Sequence, residues 1–237
     1  MTSSRGRVAG LLVSLTAVVA LGAGCGVIST VQNAVDTAGA LSEFADRLGK
    51  AAELTYTAEY RLVGAEQTSI TLAQQPPRSV LVNGDGRLVT TPEFMIICDG
   101  TECQQAPNNA SAGPDAAVVA GVAGPGFVTP ELALGLVAAA AIVPNTDVDT
   151  SEKRIAGQDS LCADVTGIKD PQGGTDELLQ DFSVCVTESG VLASFSGNSN
   201  TGERVSLELV KFTESVDEKL FAPPAGANLV DVTGLGR

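Results

Sequence analysis

The chain has 237 residues, of which 14 are basic and 28 acidic, with no histidine and no tryptophan, for a formal net charge of −14. So acidic a surface repels nucleic acid and anionic lipid alike, and a chain without histidine lacks the commonest general base and zinc ligand. Seven phenylalanines and two tyrosines leave the core mainly to Val, Leu, Ile and Ala, at a length that suits one domain.

Arg5 and Arg7 precede an uncharged apolar run from Leu11 to Gly24. A short positive region followed by such a run is the layout of a secretory signal peptide, here residues 1–24. From Val8 the run is about 17 residues long, short of the roughly 20 that a membrane-spanning helix needs. It ends in LGAGCG, which resembles a bacterial lipobox. That resemblance implies cleavage before Cys25 and diacylglycerol with its palmitate-type chains on the Cys25 sulfur. Residues 25–30 then form a lipidated anchor and short tether on the outer face of the cell membrane. Gly22 stands where the pattern usually has an aliphatic residue, with Leu21 one place further away, so an ordinary secretory cut after Gly22 or Ala23 is the alternative. From Cys25 onward 28 acidic residues face 12 basic ones, a net charge of −16. The acyl chains must therefore hold the protein without electrostatic help, at about 0.8 kcal/mol per buried CH2.

In GVISTVQNAVDTAGALSEFADRLGKAAE, the residues Val31, Val35, Ala38, Leu41, Phe44, Leu48 and Ala51 recur at spacings of three and four. This predicts an amphipathic helix, weakened by Gly39 and Gly49. LTYTAEYRL then alternates, with Leu54, Tyr56, Ala58, Tyr60 and Leu62 on one face and Thr55, Thr57, Glu59 and Arg61 on the other. QTSITLAQ, RSVLVN, GRLVTT and EFMIIC follow, broken by Pro76-Pro77, by Asn83-Gly84-Asp85-Gly86 and by Pro92. These breaks predict an antiparallel meander.

EFMIIC opens the stretch FMIICDGTECQQ, where Cys98 and Cys103 flank an Asp-Gly turn. Lipidation of Cys25 removes the odd member of five cysteines and leaves an even set in an oxidising compartment. A hairpin with Asp99 to Glu102 as its loop sets Cys98 opposite Cys103, with facing Cβ atoms about 4.5 to 5.5 Å apart, so a disulfide is expected. Zinc would need all four cysteines, because no histidine can complete a mixed set; a redox pair is the other alternative. Cys162 and Cys185 remain, closing a loop of about 24 residues that stabilises by about 3.5 kcal/mol, against about 2 for the short loop. Four cysteines allow three connectivities, and this is the one the hairpin favours.

After Pro107 the chain becomes small, apolar and almost uncharged as far as Pro144. Thr129 as N-cap, Pro130 in the first turn and Glu131 at the positive end of the dipole predict a helix from Pro130 to Val143. That helix is apolar on nearly every side, which predicts burial, and it is too short to span a bilayer. NTDVDTSEKRIAGQ reads as a solvated acidic loop. Its Asp147 and Asp149 do not make an EF-hand, which would need glycine at Glu152 and an acid at Gln158. Strands return in RIAGQDSLCADVTG, in DFSVCVTESGVLASFSG with a turn at Glu188-Ser189-Gly190, and in ERVSLELVKF. There is no G-x-S-x-G elbow and no phosphate loop. No catalytic residue, metal ligand or cofactor is assigned, and no enzymatic activity is expected.

The order of these elements, closed by VDEKLFAPPAGA, resembles bacterial lipoproteins with the LolA-like fold, and by layout their actinobacterial members, including mycobacterial carriers of acylated lipids. The resemblance covers about residues 31 to 232. It implies a single α+β domain over residues 31–237, with an N-terminal helix and a curved antiparallel sheet that wraps as a half-barrel around an apolar cavity, covered or filled by an inserted apolar helical lid or plug. Tyr56, Tyr60, Phe127, Leu132, Leu136 and Val137 are then the residues expected to line a ligand cavity. Gly121, Gly124, Gly126 and Gly135 would give the lid room to move. The implied function is a monomeric, membrane-anchored carrier of an apolar or acylated ligand. The alternative is a sensor or assembly lipoprotein with a filled core that docks on an envelope partner.

Overall fold

A computed structural model describes Gly39 and residues 42–232, apart from 64–66, 109–115, 125, 142, 144–145, 169–178 and 200–203. The signal peptide, Cys25 and the tether lie outside the described residues. Helix α1 covers residues 42–51 and leads into a meander of six strands: β1 (Tyr56–Val63), β2 (Gln67–Gln75), β3 (Arg78–Asn83), β4 (Gly86–Thr90), β5 (Phe94–Asp99) and β6 (Glu102–Pro107). Helices α2 (Ala116–Ala123) and α3 (Pro130–Ala141) follow. A second meander comprises β7 (Asp147–Ile155), β8 (Gln158–Thr166), β9 (Leu179–Thr187), β10 (Leu192–Ser199) and β11 (Arg204–Thr213). A 3-10 turn (Glu218–Phe221) and β12 (Asn228–Asp231) end the fold.

The strands make one 12-stranded sheet in the order β12-β6-β5-β4-β3-β2-β1-β11-β10-β9-β8-β7. Each meander forms through local hairpins, and the antiparallel β1–β11 pair joins the two. The predicted alternation of β1 explains that junction. Tyr60 sits between Ile70 of β2 and Leu209 of β11, and Leu62 faces Leu207, so apolar side chains line up on one face. On the opposite face Glu59 pairs with Lys211 and Arg61 with Glu208. These exposed pairs contribute only about 0.2–1 kcal/mol each, so the apolar row dominates the junction.

Phe44 of α1, Ala123 of α2 and Ala133, Val137 and Ala140 of α3 share one core with residues of both meanders, including Leu81, Leu88, Val165 and Val184. One face of the sheet is therefore concave and wraps the helices. The convex face of the first meander has its own small core of Ala73, Val80, Val89, Ile96 and the Cys98–Cys103 pair, capped by Phe221. The Arg78 guanidinium lies 4.5 Å above the Phe221 ring and pairs with Glu218 at 3.0 Å. Arg87 donates to the carbonyls of Leu220 and Ala222. VDEKLFAPPAGA is thus a strap across the back of the sheet, ending as β12 parallel to β6.

Both expected disulfides are present, linking residues that face each other across antiparallel strands with Cα atoms 4.1 and 4.0 Å apart. Both lie on the convex side, and all four cysteines are buried. Asp99 and Glu102 belong to the strands, so the turn between the cysteines is only Gly100-Thr101. The acidic-loop reading is corrected: Asp147–Ile155 is the edge strand β7, whose apolar alternation is missing because it is largely exposed. Helix α2 and the pairing of the C-terminus with β6 go beyond what the sequence patterns predict.

Gly190 turns the β9–β10 hairpin with φ +93°, and a Cβ placed there would lie 1.9 Å from the Arg47 carbonyl oxygen. Helix α1 rests directly on this glycine. Gly190→Ala is expected to cost about 2–4 kcal/mol, through strain and overpacking, read as a lowered denaturant midpoint. In exported protein, thiol alkylation of Cys98, Cys103, Cys162 and Cys185 is expected only after reduction; labelling by mass spectrometry without reductant would contradict both bridges.

Candidate functional site

The floor of the concave trough is built from alternate residues of the central strands. Tyr56, Ala58, Tyr60 and Leu62 of β1 are 4% exposed or less. Tyr56 stacks on Phe212 of β11 with ring centroids 5.9 Å apart, and Phe182 on Phe195 at 6.1 Å. Phe44 of α1 fills part of this space at 1% exposure.

The roof is a pair of helices held at opposite arms of the sheet. Helix α2 packs on β3 and β4, where the Asn83 side-chain amide donates to the Ala123 carbonyl at 2.9 Å, an orphan acceptor at the helix end. Helix α3 packs on β7 and β8. Its start is the predicted one: the Thr129 hydroxyl accepts from Leu132 N–H at 3.2 Å. Between the helices, Gly124 and Gly126 have φ of +88° and +87°, and a Cβ on Gly126 would lie 2.6 Å from Val205 of β11. Only glycine lets the connection lie that close to the sheet.

The sheet-facing side of α3 is Ala133, Val137 and Ala140. This corrects the expectation of a helix buried all round. Small residues face inward because they let the backbone approach the strands closely, while Leu132 points outward and is 51% exposed. Of the residues expected to line a cavity, Tyr56, Tyr60 and Val137 are buried in the trough, Phe127 and Leu136 pack half-buried at its margin, and Leu132 lies outside it. Leu207, Leu209, Phe182 and Phe195 also form the floor. Alternation in ERVSLELVKF and DFSVCVTESGVLASFSG signals them.

Burial pushes the Tyr56 hydroxyl up to about 12, with a smaller contribution from the Glu131 carboxylate. Burial likewise raises the Tyr60 hydroxyl well above its ordinary range, with a smaller contribution from Tyr56. Both are neutral at physiological pH and present aromatic surface, so the trough suits an apolar occupant rather than acid–base chemistry. Polar clefts among the described residues lie elsewhere. One of about 320 Å³ is bordered by Arg47, Lys153, Arg154, Asp159 and Glu188. Its basic groups are already paired: Arg47 with Glu43 at 2.6 Å, Lys153 with Asp164 at 3.5 Å and Arg154 with Asp159 at 3.0 Å. Another, of about 180 Å³, is on the convex side of β8–β11.

Val137→Asp is expected to destabilise by several kcal/mol, because it buries an unpaired charge, whereas Leu132→Asp should stay within about 0.5 kcal/mol; urea melts of the two distinguish the faces of α3. The folded chain holds the Tyr56 proton more tightly than the unfolded chain does. Its contribution to stability is complete below pH 10 and is lost as pH rises from 10 towards about 12. The chain has two tyrosines, both buried, so phenolate absorbance should lag a free tyrosine and rise together with loss of the folded circular dichroism.

No family model and no curated protein matches the chain. Among solved structures, a chain of the Pseudomonas aeruginosa MucA/MucB complex matches with a TM-score of 0.50 at 14% identity, over 80% of this chain and 63% of that one. This chain therefore spans less than two thirds of the matched length. An uncharacterised conserved protein from Thermus thermophilus aligns with a TM-score of 0.48 at 13% identity, over 80% of this chain and 98% of that one. LprF from Mycobacterium bovis aligns over the same shares with a TM-score of 0.39 at 13% identity. At these identities the likeness to the MucA/MucB chain is one of fold, the open curled sheet.

Proposed function

We propose that this protein is an extracytoplasmic lipoprotein, tethered by diacylglycerol on Cys25, that shelters an apolar or acylated ligand between the concave sheet and the α2–α3 roof. The observation that carries this reading is the construction of the roof. Two short helices attach to opposite arms of the sheet, meet at glycines with positive φ, and turn a small-residue face onto an aromatic floor. In the conformation described here, side chains fill the trough. Entry of an acyl chain requires α3 to lift from β7 and β8, exposing Tyr56, Tyr60 and Phe195. Each CH2 then buried contributes about 0.8 kcal/mol, so a chain of about ten carbons offsets a roof-opening cost of several kcal/mol.

A second reading, docking on an envelope protein with the core left filled, is favoured by the exposed Leu132 on α3. The related fold in the MucA/MucB complex is seen with a protein partner. The two readings separate in one experiment. Exported Cys25→Ser protein, taken from the soluble fraction, is compared by native and denaturing mass spectrometry. The carrier reading expects a lipid-sized mass in the native spectrum that is lost on denaturation and reduced in Val137→Phe, which fills the trough. A bare mass, with added fatty acid giving no adduct, shifts the assignment to docking. Retention of Cys25→Ser in the membrane fraction would overturn the lipid anchor.

A further inference from the structure

The two ends of the sheet are built differently. At one end β12 is only four residues long. At the other, β7 pairs with β8 through all nine of its residues without a bulge, contains neither proline nor glycine, and meets no further strand on its outer side among the described residues. None of its residues is fully buried. A long, regular edge with unpaired outward N–H and C=O groups is a template for another strand, and the charges along it decide which strand it accepts. Those charges are divided by sign: Asp147 and Asp149 lie in the first half, Lys153 and Arg154 in the second, with Glu152 the exception.

That polarity suits a second copy of the same strand, running antiparallel. Pairing about a two-fold axis at Ser151 sets Asp149 opposite the partner's Lys153, and Lys153 opposite the partner's Asp149. The same register sets Val148 against Arg154, Thr150 against Glu152 and Asp147 against Ile155, so all nine residues are matched and no like charges face each other. Both members of every pair are odd-numbered or both even-numbered. Outward backbone groups therefore meet outward ones, and the convex face of one copy continues into that of the other. Axes at Asp149, Glu152 or Lys153 would each set a charge against itself, as would a parallel copy in register, and an axis at Thr150 leaves Asp149 opposite Ser151.

Within one copy Asp149 is poorly placed. It faces Asp164 directly across β7 and β8, a like-charge juxtaposition that is unfavourable, and it has no ion pair among the described residues. Lys153 reaches along the strand to Asp164, but at 3.5 Å and with both side chains nearly half exposed. That is long for a charge-assisted bond and worth little at the surface, so it does not commit the ammonium. We propose that β7 is a self-association edge, at which two copies of this chain join antiparallel about Ser151 into one continuous sheet, with Asp149 and Lys153 selecting the register. This departs from the monomer that the family resemblance implies, and it does not rest on the carrier reading. A contact of one strand ladder belongs to the small, transient class of interfaces, with a dissociation constant in the micromolar range.

The test is sedimentation equilibrium on the exported Cys25→Ser chain, which has no free thiol to link two copies. At about 0.15 M salt the Debye length of about 8 Å screens the long-range repulsion of two acidic chains but not a pair in contact. A reversible monomer–dimer equilibrium is expected. Asp149→Lys and Lys153→Asp should each weaken it by about tenfold or more, because each sets two like-charged pairs in the seam. A mixture of the two variants should dimerise again, since one then presents only cations at both positions and the other only carboxylates. Asp149→Lys also removes the clash with Asp164 inside the chain, so loss of its dimer with unchanged or raised melting is not a folding defect. A chain that stays monomeric at every concentration, a dimer indifferent to Asp149→Lys, or a mixture of variants that fails to associate would each overturn the proposal.

Discussion

The antiparallel pairing of β1 with β11 is the constraint on which the molecule depends. Every other strand pair except β12–β6 joins neighbours in the sequence, so both meanders assemble from local hairpins. The β1–β11 pair instead joins residues such as Thr57 and Thr213, 156 positions apart. Loop-closure entropy for so long a separation is offset only if the contact brings together much apolar surface. It does so through Tyr60, Leu62, Leu207 and Leu209, all 3% exposed or less. Those same residues are the centre of the trough floor. Fold closure and the candidate binding surface are therefore the same set of side chains.

That identity explains why the roof is made of small residues. A floor rich enough in apolar area to unite two meanders must itself be covered, since leaving it exposed would forfeit about 25 cal/mol per Å². Large side chains on α3 would hold the helix off the sheet, whereas Ala133, Val137 and Ala140 let it settle directly on the strands. The same choice keeps the attachment light, because each alanine buries little area. On the proposed carrier reading, such a cover closes the trough in the absence of a ligand and yields to one that supplies more apolar surface.

Much of this architecture is legible in the residues. Strict period-2 patterns in LTYTAEYRL and ERVSLELVKF report strands with one buried face, and Cys98 with Cys103 around Asp-Gly reports a hairpin. Three parts of the architecture are not legible, each for a physical reason. Strand β7 is an edge with no covered face along most of its length, so burial imposes no pattern on DVDTSEKRI. Helix α2 and the orientation of α3 lie in a stretch where almost every residue is small and apolar, so periodicity does not distinguish the sheet-facing side from the outer one. Leu132 is misplaced by sequence reading for that reason. The strap and β12 depend on contacts with strands more than a hundred residues earlier, such as Arg78 with Glu218, which no local pattern encodes. The convex cleft is likewise a product of register: Asp181, Asn198 and Arg204 are scattered along the chain and meet only across three strands.

The two disulfides have a further consequence in combination. Cys98–Cys103 lies wholly within the first meander and Cys162–Cys185 wholly within the second, so neither of these bridges crosses the β1–β11 seam. A chain cut once between α2 and α3 would yield two polypeptides, each retaining its own staple and its own hairpins. They would be held together by the seam ladder, the shared core and the C-terminal strap, whose β12 pairs with β6 of the first meander. The protein is thus built as a natural pair of complementing fragments, whose reassociation would report the strength of these contacts free of the chain connection that ordinarily conceals it.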